Sequence, residues 1–572
     1  MICKKSQDNI FLTVCNTKIF PRNLFFYLHI SFFLMASKIL TGNMPEIMEK
    51  IINNLDKDFY SLHSCALVSR HWCTISIPIL WRDPFFDENS EFISIYLSSL
   101  NHNDVLNNDE KLALKECGII IDSTDTLFDY ANFLKVLDLS LLDSRVSHWT
   151  DLRVSSKRKN KHLLTFDLAN LLLKIFIKSG ATLTKLDLYF REDYVEISVE
   201  VFKLLGRNKQ FLSRLQVLFV ASISEPFMKK AILFLRILAE SATKIIDLKF
   251  STLYCDYENY QKRELYPAFV NVIKSQEKIL RYNFIGDGGL FSNFYGVISA
   301  VESHKKVLKE LLIDYCVNDA EFKALENCEN LEVIRISRCY NEMEILKTLS
   351  TSLCKISTLE ISSYGPIDTT HIIPTLKKSG LSLQRLKLDT SSEKEIQSQT
   401  LLFKTLMESC SNLTYLYISG IVLSAQFLDL ISCLQKLQFL SLCWKNDGSE
   451  KVEVMKTHII NFAEILPLTL EYLDIIDTSS SSYIDTLLDN CDVPLKKLLF
   501  NLDTSNDYEE KIDSLIRFCI RKKTLNEVYV NIMTFNKFNR PDLISNYWDK
   551  IQKDLEEYVE LVPYSDIFVD IV

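Results

Sequence analysis

One short motif recurs along most of the chain and constrains its fold more than any other feature. The motif is an apolar residue, two other residues, a second apolar residue, one other residue and a third apolar residue. Its copies begin at Leu134, Leu183, Leu215, Leu308, Leu331, Ile356, Leu383, Leu413, Leu437, Leu470, Leu495 and Leu525. Weaker copies are expected near Ile246-Leu248 and Leu280-Ile285. A unit of this size cannot bury its own apolar face, so neighbouring units must stack to form a continuous core.

The period of the motif predicts how each unit folds. Apolar and other residues alternate at its end, which is the two-residue period of a strand. The apolar stretch ahead of a motif, for example residues 401–407, has the spacing of a helix face instead. From Leu308 onward the copies lie about 23–33 residues apart, close to the ~20–29 residues of leucine-rich repeats. We therefore predict an α/β fold in which residues 126–540 form a curved leucine-rich-repeat solenoid with one strand and one helix per repeat.

Two cysteines indicate the class of the repeat. Cys316 and Cys339 each follow the end of a motif by three residues, which resembles the cysteine-containing class of leucine-rich repeats. This resemblance implies that both thiols are buried packing groups. A stack of helices of the HEAT type is the alternative, but it leaves the two-residue alternation unexplained, because helices have a period of 3.6 residues.

A short module precedes the repeats at residues 44–82. Ile47, Ile51 and Leu55 recur every four residues and predict one face of a helix, and Pro45 suits the first turn of that helix. Further small helices are predicted up to Trp81. About 40 residues cannot bury all of their apolar surface alone. We expect the remaining apolar patch to contact a partner or the next domain.

Three blocks of this module resemble the F-box family. They are Met44-Pro45-Glu46-Ile47, Val68-Ser69-Arg70-His71-Trp72 and Leu80-Trp81-Arg82. The first block departs from the family pattern, with Met44 in place of the usual leucine and one residue fewer before the aliphatic position. The resemblance implies an all-helical F-box module across residues 35–90 that binds a Skp-type adaptor on a cullin scaffold.

The resemblance also assigns roles within the module. The side chains that would contact the adaptor are Met44, Pro45, Ile47, Ile51, Leu55 and Leu62. Val68, Trp72 and Trp81 would instead form the core of the module. The alternative is that all of these residues are core residues of a small helical domain, because helical spacing alone does not distinguish a core face from a partner face.

A protein target would contact the strands of the solenoid. The candidates are the residues between the apolar positions of each strand, which are expected to face solvent: Asp138, Asp187, Arg335, Lys387, Tyr417 and Asp474. Their charges vary along the array, so the class of target remains open.

The remaining segments are interpreted as connections and ends. Residues 91–125 are predicted to be a polar linker, and residues 153–162 a basic, solvated loop, with a nuclear-localisation signal as the alternative. Residues 541–572 are predicted to be a helical cap of the solenoid. The apolar residues of that helix are Leu543, Tyr547, Ile551, Leu555 and Tyr558.

The first 34 residues are interpreted as a leader or an upstream extension. Their apolar stretch at residues 24–35 is too short for a membrane span, which needs ~20 residues. Its length would suit the core of a signal peptide, but we favour a translation start at Met35, since the scattered cysteines show no pairing pattern. Reduced cysteines predict a protein of the cytoplasm or nucleus, and a membrane anchor is the minority interpretation.

Composition argues against most catalytic classes. The chain has 12 glycines in 572 residues, and no phosphate-binding glycine motif occurs. No CxxC, HExxH or GxSxG motif occurs either, so we expect no metal, no cofactor and no catalytic residues. The net charge of −9 does not favour nucleic acid as a partner. The resemblance to the F-box family then implies the function of a non-catalytic substrate receptor of a Skp–cullin–F-box ubiquitin ligase. The alternative is a leucine-rich-repeat scaffold without ligase association, one form of which is attached to a membrane.

Overall fold

The computed structural model describes two compact units, residues 1–137 with 144–182 and residues 138–143 with 183–572. The residues whose structure is described are 45–56, 58–86, 90–98, 126–153, 161–191, 196–252, 262–286, 296–316, 320–339, 342–352, 354–390, 396–444, 452–475, 483–503, 508–533, 548 and 550–563. Each unit is considered separately below.

The described part of the first unit is mainly helical. Its helices, in chain order, are Pro45–Asn53 (α1), Phe59–Ala66 (α2), Arg70–Leu80 (α3), Phe92–Ser98 (α4), Leu139–Arg153 (α5) and Lys161–Lys178 (α6), with a 3-10 turn at Tyr130–Phe133 and strand β1 at Val136–Asp138. Helix α1 begins at the predicted proline, which lacks only an N–H that a first helical turn leaves unbonded. Helix α4 lies inside the predicted linker, whose residues 99–125 are outside the described part of the chain.

Aromatic rings form the core of the first unit. The indole of Trp81 is 4% exposed and lies edge-on to Phe92 and Tyr96, with ring centroids 4.8 and 5.0 Å away. Tyr96 in turn contacts Phe176 on α6 at 4.9 Å. The Nε of Arg145 on α5 donates to the carbonyl of Phe85 at 3.2 Å. The small helical module therefore buries part of its apolar surface against α4 and α6, as a module of its size must.

The second unit is built on one parallel sheet. Its strands are Lys185–Tyr189 (β2), Val217–Ile223 (β3), Asp247–Thr252 (β4), Arg281–Ile285 (β5), Glu310–Asp314 (β6), Val333–Ser337 (β7), Thr358–Ser363 (β8), Arg385–Thr390 (β10), Tyr415–Ile421 (β12), Phe439–Trp444 (β13), Tyr472–Ile475 (β14), Lys497–Asp503 (β15), Glu527–Met533 (β16) and Glu560–Leu561 (β17). These strands lie side by side in chain order, and their neighbours are parallel. Two short strands, Ile367–Asp368 (β9) and Ile396–Gln397 (β11), pair separately.

Helices connect the strands, because parallel neighbours need a crossover connection. They are Val199–Arg207 (α7), Met228–Ser241 (α8), Lys262–Lys274 (α9), Glu342–Thr351 (α10), Ile372–Ser379 (α11), Gln399–Ser409 (α12), Ala425–Cys433 (α13), Val452–Ile465 (α14), Ile484–Asn490 (α15) and Tyr508–Lys522 (α16). Turns of 3-10 helix occur at Lys209–Leu212, Glu225–Phe227, Ser299–His304, Ala320–Asn327 and Gly380–Ser382. The strand-and-helix repeat confirms the predicted leucine-rich-repeat arrangement, and the HEAT-like alternative is wrong.

The apolar positions of the motif align across the sheet. Leu386 pairs with Leu359 on one side and with Leu416 on the other, and all three are fully buried. These rows face the helices: the ring of Phe250 on β4 lies 4.1 Å from that of Phe269 on α9. Because side chains alternate along a strand, the intervening residues point away from the helices. We call this opposite side of the sheet the strand face.

The two weak copies of the motif lie near the positions predicted for them. Their buried core residues are Ile245, Leu248 and Phe250 in one repeat and Ile279, Tyr282 and Phe284 in the next. Aromatic residues replace leucine at three of these six positions, which explains why these copies are weak in the sequence.

The two motif cysteines are buried, as predicted. Cys316 and Cys339 are 0% and 3% exposed, and each thiol lies near the carbonyl oxygen two residues earlier, at 3.4 and 3.3 Å. The residue ahead of Cys316, Tyr315, has a positive φ of 52°. Gly286 is required beside it, because a Cβ atom there would lie 2.3 Å from the Tyr315 carbonyl oxygen.

Only part of the predicted helical cap, residues 541–572, lies among the described residues. Residues 550–555 are helical, and Ile551 and Leu555 are fully buried, whereas Tyr558 is exposed. Leu543 and Tyr547 are outside the described residues. Strand β17 then pairs with β16, which the sequence did not predict, since a two-residue pairing has no periodicity of its own.

Candidate functional site

Helix α1 of the first unit has one buried and one exposed apolar face. Met48 and Ile52 are both 1% exposed, whereas Ile47 and Ile51 are 40% and 51% exposed. Residues four apart lie on the same side of a helix, so the last two form one exposed apolar stripe. Burial of an isoleucine side chain is worth ~1.5–3 kcal/mol, and this stripe retains that free energy for a partner.

More exposed apolar side chains follow within the same module. Tyr60 on α2 is 83% exposed, and Leu67 and Val68 in the connection to α3 are 75% and 61% exposed. Together with Ile47 and Ile51 they are called the F-box patch below. Polar caps set the ends of the helices that carry it. Asp58 accepts a hydrogen bond from the N–H of Ser61 at 3.0 Å, and Ser69 accepts one from the N–H of Trp72 at 3.2 Å.

The first of these caps is negatively charged. Hydrogen bonds from Ser61 lower the pKa of the Asp58 carboxyl group, which keeps it ionised at the positive end of α2. This cap determines where α2 begins and so which of its residues are exposed.

Two role assignments in the module are wrong as regards burial. Leu62, predicted to contact the adaptor, is 1% exposed and belongs to the core. Val68, predicted to be core, is exposed because it lies in the connection between α2 and α3, where helical periodicity does not apply.

Burial supports some of the other role assignments in the module and leaves others untested. Trp81 is buried as predicted, and Trp72 and Leu55 are half-buried. Met44 is outside the described residues, as is the side chain of Pro45. Adaptor contact by the exposed Ile47 and Ile51 stays a prediction.

The strand face of the second unit carries ion pairs across β7, β8 and β10. Glu360 on β8 accepts a hydrogen bond from Arg335 at 3.1 Å and also pairs with Arg385. The guanidinium of Arg385 lies 3.5 Å from the ring centroid of Tyr415 on β12. Lys387 lies in the same way over Tyr417, at 4.7 Å. Charged and aromatic groups therefore alternate on this face and stabilise one another.

Three stacked rings continue this row. Tyr415, Phe439 and Tyr472 are register partners on β12, β13 and β14, and their ring centroids are 4.0 Å apart at both steps. We call them the aromatic row. Sequence analysis missed it, although an aromatic residue directly before the second apolar position in three successive repeats was a usable signal.

Four of the six predicted target-contact residues lie half-buried on their strands: Asp138, Arg335, Lys387 and Tyr417. Two do not face solvent. Asp187 is 7% exposed and pairs with Lys185 at 2.9 Å, and Asp474 is 0% exposed. The prediction of solvent exposure is wrong for both, because it considered one strand at a time and ignored the side chains of neighbouring strands.

Of the two buried carboxyl groups, Asp474 has the pKa that is shifted further from its ordinary value. Its Oδ2 accepts a hydrogen bond from Ser441 at 2.8 Å, while Oδ1 has no hydrogen-bond partner. Burial raises the pKa of Asp474 to about 7, and the hydrogen bond from Ser441 opposes this shift. Burial likewise raises the pKa of Asp187, but the neighbouring Lys185 counteracts it.

The described residues contain neither a metal-binding cluster nor a membrane-spanning helix. No group of three or more histidine, cysteine, aspartate or glutamate side chains there is arranged to hold a metal ion. In the same part of the chain, no helix has both the length and the apolar character needed to cross a membrane.

Comparison with known proteins adds a family for the first unit. Residues 45–87 match the family described as F-box-like. No curated protein matches the chain. Among solved structures, a protein from Bacteroides fragilis is similar, with 15% sequence identity and a TM-score of 0.26. The aligned region covers 57% of this chain and 76% of the Bacteroides chain. The leucine-rich repeat-containing protein LegL7 from Legionella pneumophila has 14% sequence identity and a TM-score of 0.32. The aligned region covers 52% of this chain and 88% of LegL7.

The two units thus have different characters. The first contains an F-box-like domain with an exposed apolar patch. The second is a parallel sheet in which each strand repeats the register of the one before and is followed by a helical connection. This combination supports a protein-interaction adaptor. Residues 45–87 are therefore an F-box-like domain, and the second unit has the strand-and-helix arrangement of a leucine-rich-repeat solenoid.

Proposed function

We propose that this protein is the substrate-recognition subunit of a Skp–cullin–F-box ubiquitin ligase. The F-box-like domain binds a Skp-type adaptor, which links it to a cullin, and the strand face binds a protein target. The single observation that carries the proposal is the F-box patch, five large apolar side chains exposed within a domain that matches the F-box-like family.

Physical chemistry supports a docking role for the patch. Exposed apolar groups gathered in one small domain mark a surface that gains free energy on association. Phe86, immediately after the matched helices, is also exposed at 71% and extends the apolar character of this domain.

The proposed mechanism is proximity rather than chemistry by this chain. Holding a target next to a ubiquitin-charged enzyme turns a bimolecular encounter into an effectively intramolecular one. The transfer itself is left to other subunits of the ligase. We also propose that the protein acts in the cytoplasm or the nucleus, where cysteines such as the described ones, which form no disulfide, stay reduced.

The test is a binding measurement between the full chain and a purified Skp-type adaptor. The informative variant is Ile47→Asp with Ile51→Asp, which charges the exposed stripe of α1 and leaves its buried face intact. The matched control is Leu381→Asp with Leu468→Asp, two leucines that are 64% and 74% exposed in the second unit. Circular dichroism confirms that both variants are folded.

The proposal predicts strong binding by the wild type, loss of binding in the α1 variant and unchanged binding in the control. A second variant, Val68→Asp, should also weaken binding, because this residue is 61% exposed and lies outside any helix. Absence of binding by a folded wild-type protein would overturn the proposal. The remaining function would then be that of a leucine-rich-repeat scaffold without ligase association.

A further inference from the structure

Four exposed basic side chains lie at the edge of the sheet where strands β3–β6 begin. They are Arg214, Lys244, Lys278 and Lys306, one on each of four successive repeats, and they are called the basic row below. The first three lie three residues ahead of register partners on β3, β4 and β5, and Lys306 is displaced by one residue ahead of β6. Neighbouring strands are ~4.8 Å apart, so the backbone positions of the row span about 14 Å.

The charges of the basic row are unpaired, unlike those of the strand face. Within the part of the chain that the structure describes, none of the four side chains forms an ion pair or a hydrogen bond. On the strand face, by contrast, Arg281 pairs with Asp247 at 2.9 Å. Arg335 pairs with Glu360 there at 3.1 Å. The strand face therefore neutralises its own charges, whereas the basic row does not.

Acidic side chains near the basic row have other partners. Glu240 pairs with Lys209 at 3.1 Å. The carboxyl group of Glu277 accepts a hydrogen bond from the hydroxyl of Thr243 at 3.4 Å. Like charges on successive strands repel one another, so the row costs stability until an anion neutralises it.

Hydrogen bonds between successive helix-to-strand connections order the backbone that carries the row. The N–H of Glu277 donates to the carbonyl of Thr243 at 2.9 Å, which links the residues just ahead of two members of the row. The side-chain amide of Asn330 donates to the carbonyl of Lys306 at 2.7 Å. Backbone that is already ordered loses little conformational freedom on binding, which favours association.

Stabilisation of helix ends does not account for the row. A cation interacts with the negative end of a helix only within the last turn. Helix α8 ends at Ser241, three residues before Lys244. Helix α9 ends at Lys274, four residues before Lys278. The row therefore remains as a surface for an anionic partner.

The limits of the row indicate a short peptide as that partner. On the next repeat, Glu329 takes the position equivalent to Lys306 and is exposed, so a flat anionic membrane would meet a repelling carboxylate. Single-stranded nucleic acid is held by stacking on aromatic rings, and no described aromatic side chain in residues 207–310 is exposed. An extended peptide at ~3.3 Å per residue covers the row with about four or five residues.

We infer that the basic row binds a short, extended segment of a partner protein that is rich in aspartate and glutamate. A lysine is a compact point charge, and three of the four members are lysines, which suits one carboxylate each. The row lies at an edge of the sheet, outside the strand face. The inference therefore goes beyond the proposed function and does not depend on it.

The test measures binding of fluorescein-labelled peptides to the full chain by fluorescence anisotropy. The probe contains a run of alternating glutamate and aspartate between glycine–serine ends, and the control peptide has glutamine and asparagine instead. The inference predicts saturable binding of the acidic probe at low salt and no binding of the control peptide. Raising the salt concentration should weaken binding several-fold, because exposed charges are screened.

Two variants of equal charge show whether the row is the site. Lys244→Gln with Lys278→Gln should lower the affinity about tenfold, as expected for the loss of two surface ion pairs. The control is Lys377→Gln with Lys456→Gln, two exposed lysines on α11 and α14, and its affinity should stay unchanged. The row variant should melt at the same or a slightly higher temperature, because it removes repulsion between like charges.

Several results would overturn the inference. They are no binding of the acidic probe by the folded wild type, equal affinities of the two variants, and a lower melting temperature with unchanged probe binding in the row variant. Stronger binding of phosphatidylserine vesicles or of single-stranded DNA than of the probe would replace the peptide by a membrane or a nucleic acid. Selective binding of a phosphoserine peptide, with no binding of the acidic probe, would also overturn it. Adaptor binding by the F-box patch is measured separately, so failure of one proposal is distinguishable from failure of the other.

Discussion

Two stretches of the same sheet, β6–β10 and β12–β15, share a motif but differ in surroundings. Their leucine rows are equally buried against the helices. On the strand face, the first stretch presents ions such as Arg335 and Glu360 that remain partly hydrated. The second presents stacked rings and a buried carboxyl group. The apolar positions of the motif therefore fix the face of each repeat that packs on the helices. The residues between them determine whether the strand face is half-exposed or buried.

The first and largest prediction compares two residues of one register row. Phe439 lies between two stacked rings on the second stretch, and Val333 occupies the equivalent row on β7. Phe439→Ala should lower the free energy of unfolding by about 3–5 kcal/mol, because it leaves a cavity between two rings. Val333→Ala, at a half-buried position, should cost about 1 kcal/mol or less. Urea denaturation measures both, and equal losses would contradict the comparison.

The second prediction uses the pH dependence of the second stretch. Asp474 has a pKa of about 7 in the folded chain against an ordinary value of 3.8. The folded state therefore binds the proton of Asp474 more tightly than the unfolded state does. The contribution of this group to stability is fully present below about pH 4 and is lost as pH rises towards 7. One pKa unit corresponds to ~1.4 kcal/mol, so a shift of about three units makes the cost of ionisation about 4 kcal/mol.

Asp474→Asn removes this ionisation. It should raise the melting temperature at pH 8 and leave it nearly unchanged at pH 4. Glu471→Gln, which alters an exposed carboxyl group on the same repeat, is the control and should show no such pattern. If the wild type and Asp474→Asn lose stability in parallel between pH 4 and pH 8, Asp474 is not the group responsible.

The third and smallest prediction concerns the ion pairs of the first stretch. Glu360→Gln removes the carboxylate shared by Arg335 and Arg385, whose side chains are 21% and 15% exposed. The expected loss is about 1–3 kcal/mol, since hydrogen bonds to charged groups in partly buried sites are worth that much. The exposed pair of Lys496 and Glu471 should contribute under ~1 kcal/mol, as Glu471→Gln would show. Comparable losses from the two substitutions in urea denaturation would mean that burial does not distinguish these pairs.

The F-box-like domain shows how far prediction from sequence reached at a site. Ile47 and Ile51 were predicted to be on an outer face, and they are exposed. Leu62 and Val68 were each assigned to the wrong side. Helical spacing states which residues share a face, but it does not state which face meets the rest of the domain. That choice depends on Phe92, Tyr96 and Phe176, which lie up to about a hundred residues away in the sequence.

Local sequence patterns are sufficient to predict the F-box-like module and the strand-and-helix repeat. They also predict the register of most strands and the burial of Cys316 and Cys339. These properties follow from local periodicity, because each strand must turn every second residue towards its helices. The packing of neighbouring strands is needed to explain why Asp474 and Asp187 are buried, why the rings of Tyr415, Phe439 and Tyr472 stack, and why residues on both faces of β12–β15 are buried. Those properties depend on side chains from different strands, which no single motif encodes.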